Sequence, residues 1–166
     1  MLRDLLLDLN DELEFHIIYG EIGIGFRGYI NLYKTIKEYK IQKCLGYNDF
    51  NINDDLSIDV EGSIFLRNRG LTKLPIKFRN VSGYFDCSEN GLTSLDGSPI
   101  KVGSDFNCSR NVLTSLEGAP KSVGGDFWCY DNDLTSIDGL PKEIGGVIYC
   151  DKGIKHLIPK NYKIGS

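Results

Sequence analysis

The sequence predicts a solenoid of the α/β class. Each coil is expected to lay one parallel strand on a shared sheet and to return along an irregular, polyproline-like convex side, with a small mixed cap at the N-terminal end. Two observations predict it. Cys87, Cys108, Cys129 and Cys150 follow one another at intervals of 21 residues, as do Asn90, Asn111 and Asn132, and Pro99, Pro120 and Pro141. One phrase is also written three times: Phe85-Asp-Cys-Ser-Glu-Asn-Gly-Leu-Thr-Ser-Leu, Phe106-Asn-Cys-Ser-Arg-Asn-Val-Leu-Thr-Ser-Leu and Phe127-Trp-Cys-Tyr-Asp-Asn-Asp-Leu-Thr-Ser-Ile. A fixed period of about 20 to 30 residues marks a stack of coils, none of which can bury its apolar face alone.

Residues 1–42 lie outside the repeat. Leu2, Leu5, Leu6, Leu9 and Leu13 form a helical stripe, Phe15 to Tyr19 is a strand-like apolar run, and Ile30, Tyr33 and Ile36 return at helical spacing. A partly helical cap is expected here, because a solenoid must cover the core of its first coil. Gly23-x-Gly25-x-x-Gly28 has the spacing of a dinucleotide-binding fingerprint. Small-molecule or nucleotide binding by this segment therefore stays as an alternative, although the chain leaves no room for a doubly wound sheet before the repeats begin.

The array spans residues 43–158. Its first coil, 43–63, is degenerate: Leu45, Asn48 and Phe50 fall on the thiol, asparagine and leucine columns, and Asn51 to Asp55 reads as a loop. From about residue 64 the register is regular. Phe-x-Cys alternates like a half-buried strand, with Phe and Cys inward. The asparagine column can satisfy the bending backbone and neighbouring asparagines, since an amide both donates and accepts. Two leucine columns, Leu92 with Leu113 and Leu95 with Leu116, return to the core. Pro120 denies the return path a helix, and Gly124-Gly125 gives a tight re-entry into the strand. After Cys150, Ile154, Leu157 and Ile158 are expected to seal the last coil, and 159–166 to form a polar tail.

The run Asn111-x-Leu113-x-x-Leu116-x-x-x-Pro120-x-x-Val123, closing on Phe127-x-Cys129, resembles the leucine-rich repeat, in particular its short bacterial and bacteriophage kind. Two departures are visible: Gly124-Gly125-Asp126 adds a residue to each coil, and Ser98 and Ala119 replace a leucine. The resemblance implies a solenoid that works as a protein-binding module.

Composition narrows the classes further. A net charge of −4 with no run of lysine or arginine disfavours nucleic acid, which demands clustered cations. No apolar run approaches the roughly 18 residues of a membrane span. One thiol per coil strings sulfurs along a line, whereas a zinc site needs ligands converging on a point. The cysteines are read as reduced, buried packing groups in a cytoplasmic protein, with no metal and no cofactor. His16 and His156 lie far apart with no nucleophile beside them, so no enzyme is expected.

Function is expected on the concave sheet face, where residues alternating with the buried ones point outward. Trp128, Tyr130 and Tyr149 gather at its C-terminal end, with Arg110, Asp86, Asn107 and Asp151 beside them. Aromatics and arginine dominate interface hot spots, and an extended shallow surface suits a macromolecule. The expectation is a protein partner on these seven residues. The repeat style and the lack of visible chemistry sharpen it to a phage-encoded inhibitor of a host defence protein. A structural role, with a second copy of the chain as partner, is the alternative.

Overall fold

A computed structural model describes residues 50–165. The expectations for the cap at 1–42, its glycine motif, and Leu45 and Asn48 of the first coil lie outside the described residues.

Coils stacked in step bring like backbone groups one strand spacing apart, so every extended stretch of the repeat pairs with its copies. The repeat contains two such stretches. The one entering the valine column builds a six-stranded sheet in the order β1 (Phe50–Ile52), β2 (Ile58–Val60), β4 (Phe78–Val81), β6 (Lys101–Val102), β8 (Ser122–Val123), β10 (Glu143–Ile144). The one carrying the phenylalanine column builds a second, in the order β3 (Ile64–Phe65), β5 (Phe85–Asp86), β7 (Phe106–Asn107), β9 (Phe127–Trp128), β11 (Val147–Tyr149), β12 (Lys163–Ile164). Register advances one coil per strand: Val81 lies beside Val102 and Val102 beside Val123, while Phe85 lies beside Phe106 and Phe106 beside Phe127.

Two expectations are corrected by this arrangement. There are two strands per coil, because pairing follows from extended, repeated backbone and not only from the Phe-x-Cys alternation. The α/β class also fails: among the described residues the one helix is a short 3-10 turn, Lys155–Leu157. The return path is irregular, as expected, with Pro99, Pro120 and Pro141 buried along it. Proline has no N–H to continue a helix.

Each column becomes a stripe of core. Val81, Val102 and Val123, Cys87, Cys108 and Cys129, and Leu92, Leu95, Leu113 and Leu116 are all buried. Phe85, Phe106 and Phe127 stack ring on ring, with centroids 5.6 and 5.5 Å apart. Burying each such side chain contributes about 2–3 kcal/mol. Phe78 occupies the place that Pro99 holds one coil later, and it packs edge-on against Phe85 at 5.0 Å.

The asparagine column ties coil to coil. Asn111 Nδ2 donates to the carbonyls of Cys108 and Ser109 in its own coil and of Cys87 in the preceding one, while its Oδ1 accepts from the Leu92 N–H. Asn90 and Asn132 repeat the pattern. The amides thus serve the backbone of two coils, and the expected bonds between one asparagine and the next are replaced by these. A backbone carbonyl is always present at that depth, whereas a neighbouring amide would have to give up its own backbone partners to answer.

At the corner between the two sheets, glycine is required by space. A Cβ on Gly124 would stand 2.1 Å from the Gly103 carbonyl oxygen, and one on Gly145 would meet that of Gly124 at the same distance.

Both ends depart from the repeat. Within the described part of the first coil, Phe50–Ile52 and Ile58–Val60 form an antiparallel hairpin, so Phe50 faces Val60 and does not join the leucine column. Its loop is fixed by Asp55, whose Oδ1 accepts from the Ser57 N–H and hydroxyl, and by Asn53, which donates to the Ser57 carbonyl. Asn51 and Ile52, expected in that loop, are strand. At the other end Ile154 and Ile158 are buried but Leu157 is exposed. The tail is not loose polar chain. Lys163–Ile164 pairs in parallel with β11, and the Tyr162 hydroxyl donates to the Pro141 carbonyl at 2.9 Å.

Candidate functional site

The outer face of the second sheet is built by the residues that alternate with the phenylalanine and thiol columns. Phe65 stands 60% exposed on it, and Trp128 and Tyr149 are half-buried, with the tryptophan outside the core as expected. One residue per coil at one strand spacing lets flat rings stack. Trp128 and Tyr149 do so, with centroids 5.6 Å apart and planes within 11°.

Sequence reasoning missed one member of this group. Tyr84 occupies the corner column otherwise held by Asp105 and Asp126, and its ring meets Trp128 edge-on at 6.2 Å and Phe65 at 5.8 Å. The aromatics thus form a row of Phe65, Tyr84, Trp128 and Tyr149 running from β3 to β11. Carrying the period-two alternation one step upstream of Phe85 would have found it. Burial pushes the Tyr84 phenol up from its ordinary value, a hydrogen bond with Asn107 opposes this, and Asp86 and Asp105 add to the rise.

The structure places the other expected residues less uniformly. Asp86 is buried, and its Oδ1 accepts from the Ser88 N–H at 3.0 Å and the Ser88 hydroxyl at 2.6 Å. Asn107 holds Ser109 in the same way, and both serines are buried. These two coils spend their outward positions on local turns, since Asp or Asn two residues before Ser closes its own backbone loop. One coil later the same two positions are Trp128 and Tyr130, which cannot make that bond and present rings instead. Asp151 accepts from the backbone N–H groups of Asp131 and Asn132 at 3.0 and 3.3 Å. It therefore closes the stack where Gly153 leaves the asparagine column empty.

Arg110 belongs to a ladder of charge. Glu89 accepts from Arg67 at 2.7 Å and from Arg110 at 2.6 Å, and Arg110 reaches Asp131 at 3.4 Å. Hydrogen bonds from Arg67 first, then Arg110, hold the Glu89 carboxyl below its ordinary value. These pairs are half-exposed, so water and salt screen them and they add little to stability. Glu89, Arg110 and Asp131 all sit in the left-handed region, with φ between 52° and 55°, where the chain turns after the thiol column. The Arg110 guanidinium also lies 5.9 Å from the Tyr130 ring centre. The structure therefore brings Trp128 to Tyr149 and Arg110 to Tyr130, and it sets Asp86, Asn107 and Asp151 to work within the fold.

Asp105 and Asp126 complete the face. Each gives one carboxylate oxygen to a backbone N–H of the following coil, Asp105 to Asp126 and Asp126 to Val147, both at 2.7 Å. No cation among the described residues pairs with either.

The thiols offer no chemistry to the surface. Cys87, Cys108 and Cys129 are buried and unpaired, and burial pushes all three far above the ordinary thiol value. Their protons are held inward: Cys87 and Cys108 donate to the carbonyls of Asn107 and Trp128. Among the described residues no group of three or more His, Cys, Asp and Glu could hold a metal ion, and no helix is long and apolar enough to cross a membrane. Comparison with known protein families, with curated proteins and with solved structures finds no match.

Proposed function

We propose that this chain is a non-enzymatic, protein-binding module of the leucine-rich-repeat kind that takes its partner on the outer face of the second sheet. The observation that carries the reading is the aromatic row of Phe65, Tyr84, Trp128 and Tyr149, held in place by a rigid stack of coils. Large rings with few rotatable bonds lose little freedom on binding, and they supply most of the energy in protein interfaces. The leucine-rich-repeat assignment is supported by the asparagine column serving two coils at once and by the paired leucine columns beneath it. In its sharpest form the reading is a phage-encoded inhibitor that occludes a host defence protein in the cytoplasm, supported by the repeat style alone.

Immobilised protein should retain a bacterial partner that Trp128→Ala and Tyr149→Ala both lose. A partner held equally by both variants would remove this face from consideration. A second reading, self-assembly, is favoured by the two-residue strand β12 at the sheet edge, where Ile164 is 39% exposed. An edge strand presents backbone groups on which another chain can pair. Light scattering separates the two, since a monodisperse monomer excludes self-assembly.

A further inference from the structure

We propose that the segment bound on the outer face of the second sheet is cationic, a stretch of partner protein bearing arginine and lysine; this rests on the protein-binding reading and names the chemistry of the partner. The charge pattern of the face selects it. Arg67 and Arg110 are matched one for one by Glu89 and Asp131, so the ladder is neutral within itself. Asp105 and Asp126 are left over, in the column beside the aromatic row, with no cation among the described residues. Of the exposed lysines, Lys101, Lys121 and Lys142 stand on or beside the first sheet, and Lys163 stands on the edge strand of the second, beyond Val147, with no ion pair to either carboxylate.

A carboxylate has about four acceptor sites, and each of these two gives one oxygen to a single backbone N–H, which leaves capacity for an incoming donor. An apolar or acidic partner would strip water from Asp105 and Asp126 and return nothing, which opposes binding. A guanidinium or ammonium answers both halves of the face. It pairs with the carboxylates and lies against the rings, tryptophan being the strongest such partner. Arg110 beside Tyr130 is an instance already present on the same face.

Trp128 is the only tryptophan in the chain, so its emission reports on the site directly. The full chain is titrated with a synthetic peptide of six Arg-Gly repeats and, separately, with one of six Glu-Gly repeats. The arginine peptide is expected to change the emission saturably, with an affinity that falls as salt rises, and the glutamate peptide to do nothing. The double variant Asp105→Asn, Asp126→Asn keeps the Oδ1 acceptors that hold the corner and removes only the charges. It should retain the parent's thermal midpoint yet bind the arginine peptide about fivefold more weakly. Equal response to both peptides, no response to the arginine peptide, or full affinity in the double variant would each overturn the inference. If a partner is captured from lysate in a manner dependent on Trp128 but indifferent to the double variant and to salt, only the cationic class fails. If it is retained without Trp128 and Tyr149, the reading beneath it fails as well.

Discussion

A single amide shows how the array is held. Asn111 is 7% exposed and connects three carbonyls and one N–H across two coils. Asn111→Ala would strand these groups away from water, and each unsatisfied group costs about 1–3 kcal/mol. We expect a loss of about 3 kcal/mol or more, read as a lower urea midpoint with an unchanged slope. The thiols give a second prediction through pH. Burial raises the folded-state pKa of Cys87 and Cys108, so folding favours the protonated form. The stability this confers is complete below the unfolded thiol pKa of about 8.5 and is lost as pH rises toward the folded value. Each buried thiol should steepen the decline by about 1.4 kcal/mol per pH unit above that point. Urea titrations between pH 8 and 10 check it: Cys108→Val should fall less steeply than the parent, and an identical slope would show that the thiol ionises without unfolding.

The coil is where the sequence was most legible, and the corner glycines show what it expresses. Because a Cβ at position 124 would stand 2.1 Å from the Gly103 carbonyl oxygen, Gly124→Ala must push two coils apart at the turn between the sheets. Overpacking of this kind costs about 1–3 kcal/mol. Gly153→Ala, where nothing lies within 4 Å, should by comparison be nearly neutral, and thermal midpoints of the two variants measure the difference. Constraints of this sort recur in every coil, so they are written as columns: valine, phenylalanine, thiol, asparagine and leucine were all readable, and all are where the period put them. The second strand was missed because two-residue strands such as Lys101–Val102 carry too little alternation to be seen. The site was legible in part. Trp128 and Tyr149 follow from outward alternation, but the same alternation offered Asp86 and Asn107 to a partner, where each is in fact spent on the serine two residues on. A local hydrogen bond between residues two apart leaves no mark in a periodicity.

At the scale of the whole array the ends are governed by different physics from the middle. A middle coil has a neighbour on each side to copy; an end coil has one, so its residues answer to what covers them and the period falls silent. That is why the hairpin at Phe50–Val60 and the returning strand at Lys163–Ile164 were not foreseen. The last coils are also looser: Leu134, Ile137 and Ile144 are half-buried where Leu92, Leu95 and Val102 are sealed. In a stack whose stability is a sum of coils and of interfaces between neighbours, local opening should begin where an interface is missing or poorly filled. The N–H groups of Cys87 and Cys108, bonded to Asn107 and Trp128 inside the stack, should therefore exchange hydrogen slowest. Those of Gly145 and Gly165, bonded to Val123 and Ile148 at the C-terminal end, should exchange earlier. Tyr162→Phe removes the hydroxyl that donates to the Pro141 and Lys142 carbonyls and nothing else in the core. It should accelerate exchange at Gly145 and Gly165 severalfold while leaving Cys87 unchanged. Uniform acceleration across all four amides would show instead that the array unfolds as one unit.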